Sequence, residues 1–308
     1  MIQSLASQLQ HRIFGFLGFK SRALLALAGN SSLTSNIRAY VRHMYNIDIF
    51  LSPHFTFPNV VKQFRNIQAE TQTIIGGSTA RRFFDRDRTP SILKLFVLGW
   101  RSQPLLRFLE NAGYKNTSAA PVVVYESVSA LISFSKAGSP DIHVYLTMFS
   151  LFLPILEHPD SADMAFITAT EAFHLYPNTC LEFRESVENG VGQTSSEDPD
   201  KCAAIEKAVS ELHKDVEGAG YGLYFDVTDR ENRRGLMPEE EVDDIDSKYS
   251  EFRLSRAAGD DRTMILQLDQ DGLSGSQNEF GDLSTIIRQH SWNHLELSPH
   301  VGLQQEYD

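Results

Sequence analysis

Hydrophobic residues recur at helical spacing through the first fifty positions of the chain. Apolar positions from Leu5 to Leu17 follow a helical period, and Gly18 interrupts it. A second helical run covers 33–45, and Pro53 marks a boundary after it. We therefore expect an N-terminal helical element over residues 1–52.

The next stretch alternates between strand and helix patterns. Residues 73–75 form a short apolar run that predicts a strand, 79–86 predict a helix, and 92–97 predict a buried strand. Flanking helices are predicted at 59–73 and 103–112. Further elements are predicted as strands at 122–125, 130–134 and 142–147, and as helices at 150–157, 161–166 and 181–189. This pattern predicts a mixed-sheet core over residues 53–189.

The last third of the chain has a different composition. Residues 190–199 are rich in Gly, Ser, Thr and acids and predict a linker, and 200–217 predict an amphipathic helix. An acidic loop is predicted at 239–248. Short strands are predicted at 223–227, 252–255 and 264–268. We expect an acidic α/β region over residues 190–308 that packs on the core, so the fold class is α+β.

Charge and composition exclude several classes of protein. The 308 residues carry a net charge of −12, so we expect no attraction to nucleic acid or to an anionic membrane. The richest apolar stretch, 144–156, is too short to span a bilayer. Cys180 and Cys202 are the two cysteines and make no disulfide framework. These features predict an intracellular protein, either cytoplasmic or nuclear.

A glycine turn separates the first core strand from its helix. Gly76 and Gly77 allow the backbone to turn tightly and to approach a ligand. Ser78 is then expected to cap a helix whose N-terminal amides favour phosphate. Gly76, Gly77 and Ser78 are therefore candidates for nucleotide or phosphate binding, while a tight turn with a helix cap is the alternative.

The segment 73–97 resembles the nucleotidyltransferase superfamily and, more narrowly, a set of fungal nucleotidyltransferase-fold proteins of unknown function. The resemblance is carried by Gly77 and Ser78, by Ala80, by the run Phe83-Phe84-Asp85-Arg86, by Pro90 and by Leu95-Phe96-Val97. Weaker likeness continues through 172–177, 258–260 and 265–269, so it covers most of the chain. It implies a nucleotidyltransferase-like core in which an Asp-x-Asp pair on the second strand holds Mg²⁺.

The chain departs from this pattern at the metal site. Ile92 and Lys94 stand where the family has its two aspartates, so one carboxylate is replaced by an apolar group and the other by a cation. A cation repels Mg²⁺. Asp141 is the candidate for a third acid, but one carboxylate does not build a magnesium site. Asp85 and Asp87 are expected to make ion pairs at a helix end instead. We therefore expect no catalytic residue, and neither Mg²⁺ nor a nucleotide is expected as a cofactor.

The N-terminal residues also resemble a diverged F-box. Leu5, Leu9 and Ile13 fit that motif, whereas Ala6 and Gln8 replace its Pro and Glu. F-boxes dock on a Skp-type adaptor of ubiquitin ligases, which the resemblance implies as a partner. Packing of these apolar residues on the neighbouring domain is the alternative.

Three functions remain open from the sequence. The first is a catalytically inactive nucleotidyltransferase-fold protein that acts as a protein-interaction or nucleotide-binding module. The second is an F-box-type substrate adaptor of a ubiquitin ligase. The third is an active nucleotidyltransferase with an unconventional metal site, which Lys94 argues against.

Overall fold

A computed structural model describes residues 31–117, 125–188, 199–224, 255–257, 263–268 and 291–293. The helices in these residues are α1 (Ser31–Met44), α2 (Ile47–Leu51), α3 (Pro58–Thr71), α4 (Ser78–Asp85), α5 (Gln103–Asn111), α6 (Leu153–Leu156) and α7 (Pro199–Gly218). The strands are β1 (Ile74–Gly76), β2 (Leu93–Leu98), β3 (Lys115–Thr117), β4 (Val128–Lys136), β5 (Ser139–Thr147), β6 (Ala165–Ile167), β7 (Glu171–His174), β8 (Glu185–Val187), β9 (Gly222–Tyr224), β10 (Ser255–Ala257), β11 (Met264–Gln267) and β12 (Ser291–Asn293).

An eight-stranded mixed sheet forms the centre of the α+β fold. Its strand order is β11-β7-β6-β1-β2-β5-β4-β3. The pair β2–β5 is parallel, and the other pairs of this sheet are antiparallel. The predicted strand, helix, strand order around the glycine turn is confirmed as β1, α4 and β2.

The two faces of the sheet are set by the alternation of side chains along β2. Leu93, Leu95 and Val97 point to one face and join an apolar cluster with residues from α2, α3 and α5. We call this side the helix face. Phe96 belongs to a second cluster on the opposite side, and Lys94 shares that side by the same alternation. We call this side the site face.

Two predicted helices are wrong. The stretch 161–166 forms a single 3-10 turn, Ser161–Asp163, after which β6 pairs with β1 inside the sheet. The stretch 181–189 contains the end of a π-helical turn and then β8, which pairs with β9. Short apolar runs do not distinguish a buried strand from a helix, and pairing with a neighbouring strand decided both cases.

Part of the C-terminal third belongs to the sheet. Strand β11 pairs with β7 at its edge, and β10 pairs with β12 in a separate ribbon. The F-box-like residues, residues 122–124 of a predicted strand, residues 190–198 of the predicted linker and the acidic loop at 239–248 lie outside the described residues. Within the described part, no helix is long and apolar enough to cross a membrane.

Candidate functional site

A cavity of about 610 Å³ lies between the site face of the sheet and helix α7. Its walls combine apolar side chains with side chains of both charges. The core contributes Ser78, Arg82, Ser91, Ile92, Lys94, Tyr125, Leu131, His143 and Tyr145, and α7 contributes Ala204, Lys207, Ala208, Glu211, Leu212 and Asp215. The cavity therefore holds Ser78, Ile92 and Lys94, which the sequence singled out.

The parallel pair β2–β5 builds the floor of this cavity. Lys94 lies opposite His143, and Phe96 lies opposite Tyr145. Side chains alternate along both strands, so Lys94, His143 and Tyr145 point to the site face. The rings of Phe96 and Tyr145 stack with centroids 4.7 Å apart, which fixes the position of the tyrosine.

Asp141 does not line the cavity. It is exposed near the start of β5, and His143 occupies the place beside Lys94 instead. Asp85 and Asp87 also lie away from the cavity. Asp85 pairs with Arg184 and accepts a hydrogen bond from Tyr221, while Asp87 pairs with Arg82 at 2.9 Å, so the predicted ion pairs at the helix end are confirmed.

Both glycines of the turn are explained by close packing. A Cβ on Gly76 would lie 2.5 Å from Ile155 Cδ1 and 2.8 Å from Phe96 Cε2. Gly77 has φ +63°, and a Cβ there would lie 2.5 Å from the ring of His158. Side chains fill the space beside both residues, so the close approach that glycine permits is to the protein itself.

Ser78 takes a different role from the predicted one. Gly77 is the N-cap of α4, no side chain caps this helix, and Ser78 is its first residue. The expectation that Ser78 caps the helix is therefore wrong. Its side chain is almost buried and lines the cavity, where its hydroxyl is available to a ligand.

Lys94 stands without a counter-ion at the cavity floor. No hydrogen bond or ion pair joins its ammonium group to another residue that the structure describes. Burial lowers the pKa of Lys94, and the charges of Asp163 and Asp215 oppose that shift from beyond ion-pair distance. The geometry therefore keeps an amine, rather than a carboxylate pair, facing the cavity.

A buried ion cluster lies behind the cavity wall. Arg81 is fully buried, and its Nε lies 3.2 Å from Asp163 Oδ1. Its guanidinium also pairs with Asp215 of α7. Burial raises the pKa of Asp163, and the positive charges of Arg81 and Lys94 counter this effect. The cluster thus connects α4, the turn before β6 and α7 through two fully buried charges, Arg81 and Asp163, and one partly exposed charge, Asp215.

A hydroxyl and an imidazole meet at the side of the cavity. Tyr125 lies 3.2 Å from His158 Nε2, and His158 Nδ1 lies 3.9 Å from Asp163 Oδ2. Burial lowers the pKa of His158 well below its usual range, and the charges of Lys94 and Arg81 add to this shift. The imidazole is therefore neutral and holds the tyrosine in place.

Helix α7 is fastened to the core near its C-terminal end. Asp215 joins it to Arg81 and Arg82 of α4. His213 Nε2 lies 3.6 Å from Asp160 Oδ2 and 3.9 Å from Glu188 Oε1. Since the same helix covers the cavity, these contacts determine how closed the site is.

Sequence reasoning missed several residues of the site. Arg81 and Asp163 were not identified, because nothing in a single sequence shows that an arginine will be buried against a distant carboxylate. His143 and Tyr145 could have been found, since they continue the two-residue period that begins at Asp141.

Comparison of the chain with protein-family models, with curated proteins and with solved structures finds no match. Among the described residues, no group of three or more His, Cys, Asp or Glu side chains is arranged to hold a metal ion. The chemistry of the site rests on the side chains described above. They offer an amine, hydroxyls and imidazoles around a cavity with apolar walls.

Proposed function

We propose that the chain is a binding module with a nucleotidyltransferase-like core, in which the cavity takes an anionic small ligand without a metal. The observation that carries this proposal is Lys94 on the cavity floor. It lies on the second core strand, where the family resemblance places a metal-binding carboxylate. An ammonium there attracts an anion directly and repels the divalent cation that phosphoryl transfer needs.

The other side chains of the cavity are consistent with an anionic ligand. Ser78 supplies a hydroxyl, and Lys207 supplies a second positive charge from α7. Arg82 also lines the cavity, although its guanidinium is shared with Asp87 and Asp215. Ile92 and Leu131 provide apolar surface for the uncharged part of a ligand.

A nucleotide is the first ligand class to test, because the core resembles that of nucleotidyltransferases. The experiment is thermal unfolding of the full chain with ATP, GTP, CTP or UTP, each with and without Mg²⁺. A ligand at 100 times its Kd stabilises the fold by about 2.7 kcal/mol, a shift of several degrees at most for this size.

The outcomes of this experiment separate the functional classes. A shift that occurs without Mg²⁺ supports the proposal. A shift that requires Mg²⁺ contradicts it and supports an active transferase. If no anionic ligand produces a shift, the remaining role is protein interaction, and the F-box-like residues become the segment to test by co-purification with a Skp-type adaptor.

A further inference from the structure

Two polar groups on the cavity floor lack a hydrogen-bond partner among the described residues. They are the amine of Lys94 and the hydroxyl of Tyr145. Tyr145 is 7% exposed, so its hydroxyl meets little but the cavity. Neither atom is sealed inside the protein, because Lys94 is partly exposed and both side chains line the cavity. A ligand that enters the cavity can therefore bind both groups.

The two groups lie close in the fold. Lys94 pairs with His143 across β2–β5, and Tyr145 follows His143 by two residues on the same face. Long and aromatic side chains reach diagonal neighbours on adjacent strands. One small molecule in the cavity can therefore contact the amine, the imidazole and the hydroxyl together.

The surroundings of Lys94 increase the fraction of this residue that is neutral. Burial lowers the pKa of Lys94, and the charges of Arg81 and Arg82 lower it further, against the opposing charges of Asp163 and Asp215. The neutral amine is the nucleophilic form of lysine, and buried lysines are the ones that form imines. No carboxylate among the described residues holds this amine as an ion pair.

We propose that Lys94 captures a small anionic carbonyl compound, an aldehyde or a keto acid, as a reversible imine, with Tyr145 as the proton donor. This rests on the proposed function, because it uses the same cavity and the same preference for anions. It adds the class of ligand and a covalent step that metal-dependent phosphoryl transfer does not use.

The step needs no co-reactant. The nitrogen lone pair of neutral Lys94 attacks the carbonyl carbon, and the C=O π electrons move to oxygen, which takes the proton of Tyr145. The nitrogen gives a proton back to the tyrosinate, directly or through His143. Tyr145 then protonates the carbinolamine hydroxyl, which leaves as water. The nitrogen forms the C=N bond and its last proton returns to Tyr145, so amine and carbonyl become imine and water with no change in oxidation.

The test uses pyridoxal 5′-phosphate as a probe, since it carries an aldehyde and a phosphate. The full chain is incubated with limiting probe, the imine is reduced with borohydride, and the modified lysines are mapped by mass spectrometry. We expect labelling at Lys94 at least about tenfold faster than at Lys207, since the hydroxyl of Tyr145 lies beside Lys94 on the cavity floor and a positioned proton donor accelerates such a step by orders of magnitude. Lys207 is the internal control, because it lines the same cavity from the exposed face of α7.

Variants of the chain test the nucleophilic amine of Lys94 and its positive charge separately. Lys94→Arg keeps a positive charge without a nucleophilic amine, so it should form no imine at this position and still bind an anion. Lys62→Met removes an exposed lysine of α3 that does not line the cavity, and it should leave imine formation at Lys94 unchanged. Tyr145→Phe should slow imine formation at Lys94 and leave the fold intact, since it removes only the hydroxyl that has no partner among the described residues.

A second probe distinguishes the failure of this proposal from the failure of the proposed function. Pyridoxine 5′-phosphate has an alcohol in place of the aldehyde, and its binding is measured by thermal shift. Binding of the alcohol without imine formation at Lys94 overturns the imine and keeps the anion-binding cavity. Absence of binding by both probes counts against both proposals. Equal labelling of Lys94 and Lys207 also overturns the imine proposal.

Discussion

The helix face and the site face of the sheet bury different kinds of side chain, although the same strands build both. On the helix face, Leu93, Leu95 and Val97 pack in an apolar cluster with α2, α3 and α5. On the site face, Lys94 borders a cavity, and Arg81 and Asp163 are buried behind it. The helix face is filled by close apolar packing, whereas the site face combines a second apolar cluster with charged groups around a cavity.

The difference shows where this fold accepts a cost in stability. Apolar packing contributes favourably wherever it occurs, whereas buried charges must be paired to be tolerated. On our proposal, the amine of Lys94, which has no ion-pair partner among the described residues, serves a ligand on the site face. Substitutions on the two faces should therefore differ in their effects on stability and on ligand binding.

Removal of Arg81 should have the largest effect. Arg81→Ala leaves Asp163 buried without its cation, and we expect a loss of about 3–5 kcal/mol in the free energy of unfolding. The neighbouring Arg82 is the matched control, since its pair with Asp87 is partly exposed and should be worth only about 0–1 kcal/mol. Denaturant unfolding measures both, and similar losses would mean that the Arg81–Asp163 pair is not a dry ion pair.

Substitutions at the adjacent β2 residues Leu95 and Lys94 should affect different properties. The first should lower stability, and the second should lower ligand affinity. Leu95→Ala removes a fully buried side chain from the helix face and should cost about 2–5 kcal/mol, with ligand affinity retained at temperatures where the variant is folded. Lys94→Met should leave stability unchanged or slightly higher and reduce anion affinity. Calorimetric unfolding with ligand titration checks both. Loss of affinity in Leu95→Ala alone would break the separation of the faces.

The glycine turn should be sensitive through both backbone and packing. Gly77→Ala places a side chain at φ +63° and against His158, so we expect a cost above the roughly 1–3 kcal/mol of backbone strain alone. Gly138→Ala is the control, because its φ is +76° but an added Cβ meets nothing within 4 Å. Unfolding midpoints should therefore fall further for Gly77. Equal falls would show that packing against His158 contributes nothing.

The stability of the fold should depend on pH through Asp160, which contacts His213 of α7. Burial raises the pKa of Asp160 to about 8, and the charges of Asp163 and Glu188 add to the shift. The folded state therefore binds this proton more tightly than the unfolded state, and stability falls as pH rises from about 4 to 8.

Asp160→Asn should remove this fall. The wild type should lose up to about 1.4 kcal/mol per pH unit relative to the variant within that window. Unfolding free energies measured at several pH values in both chains give the difference directly. Parallel curves would show that Asp160 is ionised in the fold throughout the window.

The fold was largely predictable where periodicity is strong, and the site was predictable only in part. The amphipathic pattern gave α3, α5 and α7 within one or two residues. β7 was not predicted, because four residues that are all buried show no alternation of polar and apolar positions. In contrast, Ile92 and Lys94 were singled out from the sequence, because the family resemblance places two aspartates at these positions.

The remainder of the site depends on contacts between distant parts of the chain. Asp215 reaches Arg81 across more than a hundred residues, and the register of β2 with β5 selects His143 rather than Asp141. Neither follows from local propensity, since tertiary packing sets both. The position of α7 over the cavity was missed for the same reason. The sequence predicted that α7 is a helix, but it did not predict that this helix covers the site face of the sheet.

The most direct test of the account is a calorimetric titration of Mg²⁺ into the wild-type chain and into the double variant Ile92→Asp/Lys94→Asp. The account predicts no Mg²⁺ binding by the wild type and measurable binding by the variant, because two carboxylates at the cavity floor would replace an apolar group and a cation. Binding of Mg²⁺ by the wild type at this cavity, or an unchanged titration of a folded double variant, would contradict it.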